Sequence, residues 1–192
     1  MTPRDPGPTR AAVVAAAEEL LESGGPSAVT LRAVGEAAGV SRTAPYRHFE
    51  DKADLMQALA ARTLETLAAR IRTAAAADGP RTPLRRGSTA YVRFAVEQPH
   101  HYLLIFGDAP LADPRPEADD GMLALRELVE RGQAAGELPA APPRELATVL
   151  WATLHGLAQL RLTGHLHEPR TVDGATGLDG LVDLALDSLR PT

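Results

Sequence analysis

The side chains whose types and spacing best suit chemistry lie between Thr30 and Phe49, in the sequence TLRAVGEAAGVSRTAPYRHF. The stretch carries hydroxyls, guanidinium groups, a phenol and an imidazole, and Lys52, the only lysine of the chain, follows closely. Such groups donate hydrogen bonds to phosphates and to the polar edges of bases. The stretch therefore predicts a binding surface.

Two short helices are expected to position these groups. Thr30 suits the N-cap of the first helix, and Ser41 suits the N-cap of a second helix that runs to about His48. Gly39 lies between them, where a tight turn requires a positive φ. The helices must also cross closely, so we expect small residues at the crossing and an apolar plug between the helices. The residues predicted for these places are Ala37 and Ala38 at the crossing and Val40 as the plug.

In this arrangement, a helix-turn-helix, the second helix enters the major groove with its first residues at the base edges. Arg42 suits a bidentate bond to guanine, and the methyl group of Thr43 or Ala44 suits contact with a thymine methyl. Pro45 departs from an ordinary helix because it lacks the amide that would bond to the Ser41 carbonyl. The helix N-terminus at Thr30 can also hold a phosphate, while Arg32 suits either a phosphate contact or a solvated surface charge.

A longer pattern strengthens this interpretation. Gly39-Val40-Ser41 is followed by Tyr46-Arg47-His48-Phe49, and then by Lys52 and Leu55. With this pattern, residues 10–56 resemble the TetR-like family of bacterial regulators. The resemblance implies base contacts from Ser41 to Ala44 and phosphate contacts from Tyr46, His48 and Lys52. The full set of predicted DNA-contacting residues is Thr30, Arg32, Ser41, Arg42, Thr43, Ala44, Tyr46, Arg47, His48 and Lys52. His48 could instead be an exposed residue without a DNA contact, and Phe49 is expected to be core.

The resemblance also implies a homodimer, a double-stranded DNA operator with two related half-sites, and a separate helical domain that binds a small effector of unknown identity. Most such proteins are repressors that the ligand releases from DNA. Cytoplasmic localisation is expected, because the absence of cysteine fits a reducing compartment. No membrane partner is expected, because no apolar run approaches the roughly 20 residues needed to span a bilayer.

Composition fits a globular chain, since 44% of the 192 residues are apolar. The net charge of −5 argues weakly against a nucleic-acid partner. However, residues 1–75 carry nine basic and nine acidic side chains, so the acidic excess lies in the remainder of the chain. The absence of cysteine excludes disulfides, thiolate metal sites and a cysteine nucleophile.

Helical periodicity dominates the chain, which predicts an all-α fold of about nine helices. Residues 1–9 are predicted to be a disordered arm, residues 10–50 a three-helix DNA-binding domain, and residues 51–192 a helical connector, ligand-binding and dimerisation domain. Gly24-Gly25 should end the first helix, and a long helix should start at Asp51 or its neighbour. A loop is expected over residues 107–120, before a helix from Met122, and a second loop over residues 164–177.

The second domain contains two informative stretches, residues 99–106 and residues 151–160. They resemble the branch of TetR-like proteins named for a Trp-His-Gly signature, here Trp151, His155 and Gly156. Aromatic walls with a few polar groups suit a small-molecule site, although these aromatic residues could equally be plain core. The predicted ligand-binding residues are Tyr91, Phe94, Tyr102, Phe106, Trp151 and His155. In the family, the last two helices pair across the dimer, and the alternative is packing within one chain.

Other chemistry has little support. His100-His101 and His165-x-His167 suggest metal binding, but adjacent loop histidines are usually solvated and no His-Glu-x-x-His spacing occurs. The rival class is an all-α enzyme or binding protein that merely contains a helical hairpin. We find no glycine-rich phosphate loop, no Gly-x-Ser-x-Gly and no paired carboxylates in an apolar setting. We therefore expect no catalytic residues, no metal and no cofactor.

Overall fold

A computed structural model describes residues 10–107, 116–166 and 177–190. Within these ranges the chain forms eight α-helices and one short 3-10 turn, without a strand, which confirms the predicted all-α fold. None of these helices is long and apolar enough to cross a membrane. The elements are α1 (Arg10–Ala28), α2 (Leu31–Ala37), the 3-10 turn (Pro45–Arg47), α3 (Lys52–Ala76), α4 (Pro83–Glu97), α5 (Pro99–Phe106), α6 (Pro116–Ala134), α7 (Pro143–Leu162) and α8 (Leu178–Asp187).

The chain divides into two compact units. Unit 1 comprises Met1–Thr63 and His100–Asp113, and unit 2 comprises Leu64–Pro99 and Pro114–Thr192. Helix α3 runs from unit 1 into unit 2, and α5 belongs to unit 1 although most of its sequence neighbours belong to unit 2. Residues 1–9, the predicted arm, lie outside the described residues, as does most of the second predicted loop.

The core of unit 1 is made by the apolar faces of α1, α2, the start of α3 and α5. Its buried residues are Val13, Val14, Ala16, Ala17, Leu21, Val29, Leu31, Val34, Phe49, Leu55, Leu59, Ala60 and Leu104. Phe49 is 1% exposed, as expected for a core residue, and the Arg10 guanidinium lies over its ring at 4.9 Å. Arg10 therefore covers the aromatic ring of Phe49 with a cation.

The end of α1 is held by groups from two other parts of unit 1. Gly25 has a φ of 68°, which kinks the helix at the predicted stop, and one more turn follows to Ala28. His100 Nδ1 hydrogen-bonds to the Glu22 carbonyl at 3.1 Å, and the His100 ring lies 3.4 Å from the place a Gly25 Cβ would occupy. Lys52 Nζ donates to the Pro26 carbonyl at 2.9 Å. These contacts fix the helix end that precedes the helix-turn-helix.

In unit 2, α4 packs against α6, α7 and α8. Arginines of α4 and of the segment before it form ion pairs with aspartates spaced four residues apart on α8. Arg85, whose side chain is only 15% exposed, bonds to Asp183 at 3.0 Å and to Asp187 at 2.5 Å. The paired carboxylates raise its pKa against the effect of burial. These ion pairs hold α8 against α4.

The predicted loop over residues 107–120 is partly wrong, because α6 begins at Pro116 and not near Met122. Proline is favoured in the first turn of a helix, where its missing amide costs nothing. Acidic residues are favoured there too, because they oppose the positive end of the helix dipole. The sequence from Pro116 to Asp120 has both features, so its proline and acidic residues begin a helix here and do not mark a loop.

Candidate nucleic-acid interface

The first helix of the motif begins and ends at the predicted residues. Thr30 is the N-cap of α2, and its hydroxyl accepts a hydrogen bond from the Ala33 amide at 3.1 Å. Gly39 has a φ of 68°; its amide bonds to the Glu36 carbonyl at 3.1 Å, and the Val40 amide bonds to the Gly35 carbonyl at 3.0 Å. This pair of bonds is a Schellman motif, which releases the chain into a tight turn. The predicted cap and turn are confirmed.

The residue that lets the two halves of the motif meet is Gly35, which corrects the expectation of Ala37 and Ala38. A Cβ on Gly35 would lie 3.3 Å from the Ser41 carbonyl oxygen, 3.4 Å from Pro45 Cγ and 3.5 Å from Arg42 Cα. Ala37, by contrast, is exposed, and Ala38 is only partly buried. Gly35 is buried, and its lack of a side chain allows the backbone of residues 41–48, the reading segment, to rest on α2.

The second helix of the motif is shorter and tighter than predicted. Instead of an α-helix from Ser41 to His48, only Pro45–Arg47 is helical, with 3-10 geometry. The Ser41 carbonyl accepts from the Ala44 amide at 2.9 Å, because Pro45 has no amide to offer it. One α-type bond forms at the end, from the Phe49 amide to the Pro45 carbonyl at 3.0 Å. Pro45 thus sets the geometry of this segment.

Most of the predicted DNA-contacting side chains reach solvent. Tyr46 is 58% exposed, which is unusual for a large aromatic side chain. Ala44 needs a correction: it is 6% exposed, so its methyl group is part of the packed interior and cannot meet a base in this conformation. His48 is half-buried. The exposed members of the set are Thr30, Arg32, Ser41, Arg42, Thr43, Tyr46, Arg47 and Lys52.

Several of these side chains already have partners within the module. Glu36 Oε1 lies 3.4 Å from Arg32 Nε and 3.3 Å from Arg42 Nε. The hydroxyls of Ser41 and Thr43 are 3.2 Å apart. Sequence analysis did not single out Gly35 or Glu36. The i to i+4 spacing of Arg32 and Glu36 on one helix face was the available signal for the latter.

The predicted ligand-binding residues belong to both units. In unit 2, Trp151 Nε1 donates to the Tyr91 hydroxyl at 3.0 Å, and the Trp151 and His155 rings lie 5.9 Å apart. Phe94 is fully buried in the same unit, with the Arg70 guanidinium 5.3 Å from its ring centre. The other two aromatics belong to unit 1, where the rings of Tyr102 and Phe106 are 4.8 Å apart. Tyr91, Trp151 and His155 thus form a cluster within unit 2.

Burial lowers the pKa of His155 below its usual value of 6.5. The folded protein therefore binds this proton less readily than the unfolded chain, and stability falls as the pH drops through 6.5. We expect His155→Gln to reduce the loss of melting temperature between about pH 7.5 and about pH 5.5 by an amount on the order of a degree. Thermal unfolding at the two pH values measures this.

His165→Gln is the matched control for this prediction, because His165 is an exposed histidine of the same unit. It should leave the pH dependence as it is in the unmodified chain. Equal pH dependence in His155→Gln and in the unmodified chain would contradict the assignment of a neutral, partly desolvated imidazole to His155.

The fold and the exposed helix-turn-helix define a class, the bacterial helix-turn-helix regulators, and the comparisons specify the family. Residues 13–59 match the model described as bacterial regulatory proteins, tetR family, and residues 84–185 match that described as tetracyclin repressor-like, C-terminal domain. The chain is 31% identical to the HTH-type transcriptional regulator TtgR of Pseudomonas putida, over 95% of this chain and 91% of TtgR. The chain belongs to the TetR family of transcriptional regulators.

Solved structures share this fold. A protein of unknown function from Rhodococcus sp. RHA1 matches with a TM-score of 0.74 and 30% identity, over 98% of this chain and 97% of that one. A TetR family transcription regulator from Marinobacter aquaeolei VT8 matches in fold with a TM-score of 0.63 at 21% identity, over 94% of both chains. TtgR is a regulator of transcription, the class that the sequence predicted for this chain.

Proposed function

We propose that this protein is a transcriptional repressor that binds a palindromic operator as a homodimer and leaves it when a small molecule binds. The observation that carries the proposal is the exposed reading segment after a Schellman turn, in which Arg42 and Tyr46 project from a backbone fixed on Gly35. Such a regulator acts where the chromosome is, so the proposal includes a cytoplasmic location.

At the DNA, each exposed side chain is assigned by its chemistry. Ser41, Arg42 and Thr43 would face base edges in the major groove, with Arg42 on a guanine. The remaining contacts would go to phosphates, which carry most of the affinity without sequence preference. We assign these phosphate contacts to Thr30, Arg32, Tyr46, Arg47, His48 and Lys52. Lys52 can keep its bond to the Pro26 carbonyl and still donate to a phosphate, because an ammonium has three protons.

The effector would bind in unit 2, around the cluster of Tyr91, Trp151 and His155. An indole, a phenol and an imidazole offer apolar walls and a few polar atoms, as small-molecule sites usually do. The predicted roles of Phe94, Tyr102 and Phe106 in ligand binding stay proposals, as does assignment to the Trp-His-Gly branch. Since α3 continues from unit 1 into unit 2, a tilt of this helix would move the reading segment.

Two subunits would place their reading segments about 34–36 Å apart, in successive major grooves. A change in this separation weakens both sets of contacts at once, which explains release by a small shift. The surface that supports a homodimer is apolar and lies on the last two helices. Val149 and Leu160 of α7 are 48% and 46% exposed, and Leu184 of α8 is 59% exposed. We propose that these side chains together form an apolar patch that a second subunit covers.

Two substitutions in the reading segment should have different effects. Arg42→Ala removes the proposed guanine contact, so the base preference at one position of each half-site should relax, at a cost of about 1–3 kcal/mol per contact. Tyr46→Phe removes one phosphate contact, so affinity should fall about threefold on all duplexes alike. Binding to operator duplexes with single base changes, measured by fluorescence anisotropy, separates the two effects.

Arg126→Ala serves as the control, because it removes the same charge from an exposed arginine of unit 2. It should leave both affinity and base preference unchanged. A uniform loss for Arg42→Ala, with the base preference intact, would show that Arg42 contacts the backbone and not a base.

A further inference from the structure

We propose that Glu36 is a positioning residue for DNA recognition: it holds Arg42 through Nε, so that the two terminal nitrogens present themselves to a guanine. This inference rests on the proposed DNA-binding function. Glu36 Oε1 lies 3.3 Å from Arg42 Nε. A guanidinium held at Nε keeps its Nη1 and Nη2 protons, which form the fork that matches guanine O6 and N7.

The backbone of the turn brings Glu36 and Arg42 close to each other, so their contact depends less on the conformations of two long side chains. Gly35 directly precedes Glu36, and its missing Cβ lets Arg42 Cα approach within 3.5 Å of the place that Cβ would occupy. The Schellman bond from the Val40 amide to the Gly35 carbonyl and the bond from the Gly39 amide to the Glu36 carbonyl lock the same turn. The Arg42 backbone therefore lies close to Gly35, the residue before Glu36, whatever the rotamer of Arg42.

Helix stability does not explain a carboxylate at this position. Glu36 is the penultimate residue of the seven-residue α2, near the C-terminal end, where a negative charge opposes the helix dipole. Its ion pair with Arg32 runs in the less favourable order, with the cation on the N-terminal side. Removing the charge should therefore cost the helix little, so an effect of this substitution on DNA recognition can be separated from an effect on the helix.

The same carboxylate also lowers affinity for DNA that lacks the right base. Glu36 is 53% exposed beside two arginines that are 66% and 64% exposed, so it cancels part of their charge. On any duplex this weakens phosphate binding, while on the operator the ordered Arg42 compensates through its guanine contact. Glu36 therefore raises the ratio of specific to non-specific binding. A module without net positive charge depends on this ratio.

The test starts with an operator selected from random duplexes by the full-length protein, and compares binding to that operator and to a shuffled duplex. For Glu36→Gln we expect affinity for the shuffled duplex to rise about threefold and the specificity ratio to fall about tenfold. The guanine preference at the Arg42 position should relax with it. In an Arg42→Ala background, the same substitution should no longer alter that base preference.

Glu50→Gln is the matched control, because it removes an exposed carboxylate from the same unit without touching Arg42. It should raise affinity for both duplexes alike and leave the specificity ratio unchanged. Two outcomes overturn the inference. One is a tenfold fall in the specificity ratio caused by Glu36→Gln even in the Arg42→Ala background; the other is a specificity ratio of Glu36→Gln within about twofold of that of the unmodified protein. Failure of the unmodified protein to select any duplex is a different outcome, and it would reject the proposed function itself.

Discussion

Gly35→Val is expected to reduce operator binding by about 100-fold while unit 2 stays folded. The valine Cβ would lie 3.3 Å from the Ser41 carbonyl oxygen and 3.4 Å from Pro45 Cγ, and its methyl groups would reach further. The obstacle includes backbone atoms, so the reading segment must move. Displacing Arg42 from one guanine in each of two half-sites costs about 1–3 kcal/mol per half-site, which gives the expected loss.

The protein should also lose stability, because overpacking a close contact costs about 1–3 kcal/mol. For Gly35→Ala we expect a stability and an operator affinity between those of the unmodified protein and those of Gly35→Val. Alanine favours the helix over glycine by up to about 1 kcal/mol, which offsets part of the cost of the added Cβ. Gly121→Val is the control: Gly121 is also a helical glycine, but its Cβ would lie 3.7 Å from Leu64 Cδ2, an ordinary contact. Anisotropy titrations and thermal unfolding of the three variants measure both effects. Operator affinity of Gly35→Val within about tenfold of the parent would show that the reading segment does not depend on this packing.

Leu184→Arg should break the proposed homodimer and, with it, operator binding. Leu184 lies on α8, on the side away from the buried Val182 and Leu186, and it is 59% exposed. An arginine there is harmless in a monomer, but a second subunit would have to bury its charge. Monomers bind the two half-sites independently and lose the gain in operator affinity that linked binding provides, which is about 100-fold or more. Analytical ultracentrifugation and operator titrations measure the two consequences.

Leu123→Arg is the control for this prediction, because Leu123 is an exposed leucine on α6 of the same unit. Leu123→Arg should leave both the oligomeric state in solution and the operator affinity unchanged. A Leu184→Arg protein that sediments as a dimer would remove α8 from the proposed interface. A protein that is monomeric yet binds the operator as tightly as before would show that dimerisation is not needed for recognition.

The sequence predicted the parts of the motif whose geometry is local. The Thr30 cap and the positive φ of Gly39 follow from a hydroxyl and a glycine at fixed offsets, and the structure confirms both. Pro45 was recognised as a departure from an ordinary helix, but its consequence was underestimated. A single missing amide leaves one 3-10 turn where an α-helix was expected.

The features that were missed depend on contacts between elements. Gly35 and Ala37 look equally small in a sequence, and only the crossing geometry shows which of them faces the reading segment. Ala44 faces the core for the same reason. Likewise, the aromatic residues could be counted from the sequence, but the contacts of Trp151 with Tyr91 and His155, and of Tyr102 with Phe106, could not be predicted from it. Periodicity reports which residues share a face and not which element that face meets.

The most direct test of the proposed function is selection of DNA by the unmodified protein from a pool of random duplexes, followed by titration of the selected sequence at several salt concentrations. We expect two related half-sites in inverted orientation, about one helical turn apart from centre to centre, bound by a dimer. The logarithm of the binding constant should fall linearly with the logarithm of salt concentration, because phosphate contacts release counterions. Recovery of no common sequence, or binding that does not respond to salt, would contradict a DNA-reading regulator.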